Sequence, residues 1–349
     1  TRFIEDVCPE AENTELVESS KGVSEGIVGE WLGELSCGDQ ITVQMVDVSE
    51  IEDGTSTESS KKGINKSLSN FFKHLTGKSP SGASSQSRKK EDQQHAADKG
   101  QHQAAVVTIN RAAQRNAVSL VMWQELGRIF TVLGQQPKVR AIILTGAGDH
   151  FSAGADIAEF SKVRATVEQG IQYEESVDAC CDAIASTPKP TIAVINGFCM
   201  GGACHLAMSC DFRFANDNAQ FAIPAARLSI VYGVRGVQRL LALVGISKAK
   251  HILYSAERFS AKQGLDIGFL DKVSSAPMDT AKSYAAVLAD NAPLTIAGSK
   301  VLLNGLTMDL GTLTNQIVDQ VVNDAVASAD YRDARQAFVE KRRPVFTGK

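Results

Sequence analysis

The chain has 349 residues, 43% hydrophobic and 22% charged, with a formal net charge of -4. That balance excludes a chain disordered throughout and a strongly basic nucleic-acid binder, and no apolar run reaches the roughly 18 residues that span a bilayer. Seven cysteines, an odd count set mostly within apolar segments, imply free thiols in a reducing compartment rather than a disulfide framework. No His/Cys grouping has zinc-ligand spacing, so no metal site is expected. Thr1 is not an initiator methionine, which leaves the native start open.

In chain order, the first sixty residues carry about 13 more acidic than basic side chains, and residues 61–102 about 6 more basic than acidic ones. The first fifty hold a predicted helix around Ile27–Leu35 and a predicted strand at Ile41–Val48, too little for an independent core. Stretches 54–62 and 76–103 are rich in Ser, Gly, Lys and Gln and cannot bury enough apolar surface to offset ordering entropy, so they read as disordered. Between them Ile64, Leu68, Phe71, Phe72 and Leu75 share one face of a basic amphipathic helix. That Ile64–Leu75 segment is suited to a membrane surface or a partner, or else docks on its own domain or stays loose. Residues 1–103 thus form a mostly disordered, acidic then basic extension, a flexible tether expected to be dispensable for the catalytic fold.

From Ala104 the pattern becomes α/β. Strands are predicted at Ala105–Ile109, Val139–Leu144, Thr191–Ile195 and Phe212–Ala215, with helices near Ser119–Leu133 and Thr166–Ser186, the latter stopped by Pro188 and Pro190. Beyond Gly233 the chain is mostly helical, with helices near 247–256, 261–267, 280–291 and 293–306. One domain over 104–349 with a helical C-terminal region follows. Neither a GKS/T P-loop nor a GxGxxG turn is present.

Two loops in this domain open helices in the same way. FSAGAD at 151–156 follows one apolar strand, and NGFCMGG at 196–202 follows another. Glycine lets the backbone approach a ligand closely, and the first N–H groups of a helix have no internal partner. With the helix dipole behind them, such donors suit an oxygen carrying negative charge. Two of them converging on one carbonyl oxygen would stabilise an enolate or a tetrahedral oxyanion. The pair therefore reads as an oxyanion hole for chemistry on an acyl group.

FSAGAD, NGFCMGG and the CDFRFA that follows at 210–215 together resemble the crotonase superfamily, the enoyl-CoA hydratases and isomerases. Ile109-Asn110-Arg111, Gln114-Arg115-Asn116-Ala117, Gln220-Phe221-Ala222-Ile223-Pro224, Gln238-Arg239-Leu240 and the Tyr331–Arg342 stretch fall in the matching order. The resemblance implies a spiral of ββα units, with C-terminal helices that pack homotrimers, often paired as hexamers. It implies an acyl-CoA substrate, coenzyme A being part of that substrate rather than a cofactor, in fatty-acid or acyl-CoA metabolism; the reduced cysteines add the expectation of a soluble protein of the cytoplasm or an organelle matrix. The N–H groups of Ala155 and Gly202 would hold the thioester carbonyl. Ala153 would offer its carbonyl to the adenine amino group. Arg115, and Lys341 or Arg342, stand where relatives approach the CoA phosphates, unless they are ordinary surface charges. Asp156 falls beside the site, where it caps the next turn more readily than it does chemistry.

Both glutamates that hydratases of this family use are replaced. The position three residues after the oxyanion glycine is His205, and the one after the QFxxP proline is Ala225. His205 is either a substitute base or a hydrogen-bonded structural group. Tyr232 resembles the tyrosine of the methylmalonyl-CoA decarboxylase branch, though Ala155 stands where that branch has histidine; otherwise it packs over the acyl pocket. Three readings follow: a hydratase/isomerase-like enzyme, a malonyl-type decarboxylase needing no base to activate water, and a catalytically silent acyl-CoA-binding oligomer.

Overall fold

The computed structural model describes residues 40–48, 102–308 and 313–349. The expected helices at Ile27–Leu35 and Ile64–Leu75 and the low-complexity stretches 54–62 and 76–101 lie outside the described residues.

Six strands form the main sheet: β1 (Ile41–Asp47), β2 (Gln103–Ile109), β3 (Val139–Gly146), β4 (Thr191–Ile195), β6 (Phe212–Ala215) and β9 (Lys272–Val273), in that spatial order. β1 runs antiparallel to β2, while β2, β3, β4, β6 and β9 are mutually parallel. A smaller sheet holds β5 (Phe198–Met200), β7 (Gln220–Ala222) and β8 (Phe259–Ser260). Single bridges Val118–Ala155 and Ser152–Cys199 extend this second layer towards the earlier turns of the chain.

The path therefore repeats a main-sheet strand, a short second-layer strand or bridge, and a helix. β2 leads through Val118 to α1 (Leu120–Gln135), and β3 through Ser152 and Ala155 to α2 (Val167–Ser186). β4 and β5 lead to α3 (Gly202–Ser209), and β6 and β7 to α4 (Val234–Ser255). This is the expected spiral of ββα units. The helical region follows as α5 (Ala261–Asp266), α6 (Pro277–Ala289), α7 (Pro293–Met308), α8 (Asn315–Ala327) and α9 (Ala329–Glu340). The helix expected near 247–256 is the second half of α4, where Gly245 at φ 72° interrupts the turn.

Burial explains the layering. All eight residues of β3 are buried, as a parallel strand covered on both faces requires. Ala104, Val106, Ala141, Ile143, Ile192 and Val194 alternate along their strands onto the face that packs against Ala281, Ala285 and Ala289 of α6. The opposite alternation meets Met122, Leu126, Ile129 and Phe130 of α1.

β1 alters the expected division of the chain. It pairs along all seven residues with β2, Ile41 is fully buried, and Asn110 N–H donates to Gln40 O at 2.7 Å. Residues 40–48 belong to the sheet, because β2 without them would be an unpaired edge. Treating all of 1–103 as dispensable therefore fails at this strand.

Candidate active site

The residues 115–118 grip the first loop. Ser152 Oγ donates to Asn116 O at 2.7 Å and accepts from Gly154 N–H at 3.0 Å. Ala153 N–H donates to Arg115 O, Val118 N–H to Gly154 O and Asp156 N–H to Val118 O. Gly154 holds φ 90°, and a Cβ there would overlap the Met200 carbonyl oxygen of the second loop, so glycine is required by both conformation and space.

The second loop is fixed as firmly. Gly201, at φ 55°, donates its N–H to Ala222 O at 2.8 Å, and its own carbonyl accepts from Cys204 N–H at 3.0 Å and from Tyr232 Oη at 3.2 Å. Gly202 then starts α3. An added Cβ on Gly202 would sit 3.5 Å from Ala155 N and 3.1 Å from the Trp123 ring, so the two loops meet there. Their neighbours are engaged, whereas the N–H groups of Ala155 and Gly202 have no acceptor among the described residues. Both residues border one cavity of about 120 Å³.

The same cavity is lined by Ala153, His205, Ala225 and Tyr232, together with Trp123, Tyr173, Glu174 and Arg164. Trp123 Nε1 donates to Tyr173 Oη at 3.1 Å, and burial pushes the Tyr173 hydroxyl above its usual range. Arg164 pairs with Glu174 at 2.8 Å and stacks on Phe160 and Tyr173. Among the described residues, Glu174 is the carboxylate lining the cavity. Sequence reasoning missed it, because a glutamate in an amphipathic helix carries no local mark separating a pocket from solvent. Glu159 accepts from Leu120 N–H at 2.6 Å and so caps α1.

His205 is brought into the cavity wall. It is 4% exposed, and its Nε2 lies 3.1 Å from Arg239 Nη1. A guanidinium only donates, so Nε2 is the acceptor and the ring proton sits on Nδ1. Asp182 accepts from Arg239 at 2.9 Å and from Arg235 at 2.9 Å, which fixes the guanidinium behind the ring. Burial, with Arg239 and then Arg235 adding to it, lowers the imidazole pKa to about 3. At neutral pH the ring is uncharged, and the nitrogen that would take up a proton already accepts from Arg239. Tyr232 meets the loop through the Gly201 carbonyl, so its hydroxyl proton is committed to backbone.

Three of the residues expected to bind substrate fall outside the cavity lining. Asp156 pairs with Arg111 at 2.9 Å and accepts from Ala158 N–H, so it caps the turn that follows. Arg115 stacks over Phe198, 5.8 Å from the ring centroid, and Lys341 ends α9 in the left-handed conformation. Among the described residues no group of three or more His, Cys, Asp or Glu is placed to hold a metal ion, and no helix is long and apolar enough to cross a membrane.

The ββα spiral and the paired loop donors define a crotonase-type protein. The enoyl-CoA hydratase/isomerase family profile matches residues 99–349. The chain is 37% identical over 243 residues to a short-chain-enoyl-CoA hydratase of Clostridium acetobutylicum, covering 68% of this chain and 92% of that protein. It is 34% identical over 249 residues to a crotonyl-CoA hydratase of Syntrophomonas wolfei, covering 70% of this chain and 95% of the relative. The crystal structure of an enoyl-CoA hydratase from Bacillus anthracis superposes with a TM-score of 0.64 at 32% identity, covering 70% of this chain and 96% of that one. The chain belongs to the enoyl-CoA hydratase/isomerase family and is an enzyme of the hydratase/isomerase type.

Proposed function

We propose that the protein binds an acyl-CoA thioester and forms an enolate of it, with the N–H groups of Ala155 and Gly202 as the oxyanion hole. The observation that carries this reading is the meeting of two uncommitted backbone donors at one cavity. Loss of the C2 proton sends its electron pair into the C1–C2 bond and places negative charge on the thioester oxygen, which two such donors would stabilise. Glu174 is the carboxylate available to carry that proton. Ala225 can carry none and His205 is held neutral, so hydration of a simple enoyl-CoA such as crotonyl-CoA should be slow.

A second reading is decarboxylation of a malonyl-type thioester, which forms the same enolate without a base. The absence of a carboxylate at both 205 and 225 favours it. In either case coenzyme A enters with the substrate. Exposed Leu303, Leu306, Ile317 and Phe338 on the C-terminal helices support a homotrimer or hexamer. The five described cysteines, all buried and free, suit a soluble protein of a reducing compartment such as the cytoplasm or an organelle matrix.

The test is deuterium exchange at C2 of a panel of saturated acyl-CoAs in D2O, followed by mass spectrometry, with a parallel search for CO2 loss from carboxyacyl-CoAs. Exchange or CO2 loss supports enolate formation. Tight binding with neither would refute enolate formation at this site.

A further inference from the structure

The imidazole of His205 lines the cavity, and its orientation is imposed from behind. Arg239 Nη1 donates to Nε2 at 3.1 Å, and Asp182 holds the guanidinium at 2.9 Å. The tautomer with hydrogen on Nδ1 is thereby selected. Nδ1–H has no acceptor among the described residues, although the ring is 4% exposed and lines the cavity. A ring N–H on a cavity wall that no protein acceptor engages is open to an acceptor atom of a ligand.

The position of that donor says which ligand atom completes it. His205 lies three residues after Gly202 in α3, hence on the same helix face and a rise of about 4.5 Å further along the axis. With the thioester oxygen at the Gly202 N–H, the next carbons of the acyl chain run past the imidazole. An unsubstituted chain presents only hydrogens to it and leaves the donor unpaired. An oxygen on the third carbon would accept the Nδ1–H.

We propose that His205 is a fixed hydrogen-bond donor to an oxygen on the third carbon of the acyl chain. The site accordingly selects 3-oxoacyl or carboxyacyl thioesters over unsubstituted ones, an inference that rests on the acyl-CoA reading above. Arg239 and Asp182 are positioning residues for this donor, acting through the imidazole rather than on the substrate.

The test is calorimetric titration of the full chain with butyryl-CoA, 3-oxobutyryl-CoA and malonyl-CoA, three thioesters that differ at the third carbon. At least one oxygenated ligand should bind tenfold or more tightly than butyryl-CoA. Preference for 3-oxobutyryl-CoA assigns a neutral carbonyl, and preference for malonyl-CoA assigns a carboxylate. His205→Asn, whose amide nitrogen can take the place of Nδ1, should keep most of the preference, whereas His205→Leu should abolish it. Equal affinities for all three ligands in the unmodified protein overturn the proposal, without needing any variant to fold. So does a preference that survives in folded His205→Leu. Butyryl-CoA binding with no preference would refute this inference alone, and failure of all three to bind would refute the acyl-CoA reading with it.

Discussion

Replacing Gly202 by proline deletes one of the two facing donors while keeping a residue suited to the start of a helix, since proline is favoured at the first helical position. The substitution also adds a Cβ, which would sit 3.1 Å from the Trp123 ring. Gly202→Ala adds the same Cβ but keeps the N–H, so the ratio between the two variants isolates the donor from the crowding. Trp123 is held by Tyr173 at 3.1 Å, and a shift of a few tenths of an ångström relieves the alanine contact. We expect a modest loss in the alanine variant. Removing one oxyanion donor typically costs about 2.7–4 kcal/mol in the transition state, or 10²–10³ in rate. The proline variant should therefore run about 10²–10³-fold below the alanine variant in C2 deuterium exchange or turnover. Circular dichroism and Tm establish that both are folded. A folded Gly202→Pro protein within threefold of Gly202→Ala would refute the assignment of this N–H.

The remaining expectations touch other parts of the molecule. Ile41→Ala should destabilise the protein by about 2–5 kcal/mol, because the side chain is fully buried, and a chain starting at Gln101 should lose more, since it lacks all of β1; unchanged Tm in both would show that β1 does not hold the sheet. Burial and Arg239 keep the His205 pKa near 3, so below pH 6.5 the unfolded chain binds a proton that the folded chain refuses until about pH 3. Stability should thus fall as pH drops from 6.5 towards 3, and His205→Gln should flatten that slope in a Tm-against-pH series; an activity inflection near pH 6.5 that His205→Gln removes would contradict a neutral ring. Glu174→Gln should lower kcat for proton exchange about 10²–10⁴-fold with a smaller change in KM, and unaltered exchange would exclude Glu174 as the proton carrier. Light scattering should give the mass of a trimer or hexamer, and a monomer at micromolar concentration would refute the interface reading of the C-terminal helices.

The two helix-opening loops were legible in the residues themselves, because a sharp strand-to-helix turn demands glycine and an apolar strand must precede it. Gly154 and Gly201 carry the positive φ values that this requirement implies. The main strands were legible for a related reason: segments such as Ile142-Ile143-Leu144 are apolar on both faces only when buried on both. The short strands Phe198–Met200 and Gln220–Ala222 carry too few residues to show a period, so only the second layer they join revealed them. β1 was read as a strand, but its partner lies across a long intervening segment that no local pattern can span.

The tertiary structure alone decided what the site residues can do. Ala155 and Gly202 are far apart in sequence, and their donors meet because Ser152, Asn116 and Ala222 hold both loops in place. A histidine at 205 is compatible with a base or a donor until its surroundings are known. Arg239 from α4 and Asp182 from α2 fix the ring's tautomer and keep it uncharged, since a guanidinium can only donate and a buried imidazole beside it resists a second positive charge. Glu174 lines the cavity from α2, a packing outcome that the charge of the residue by itself could not announce.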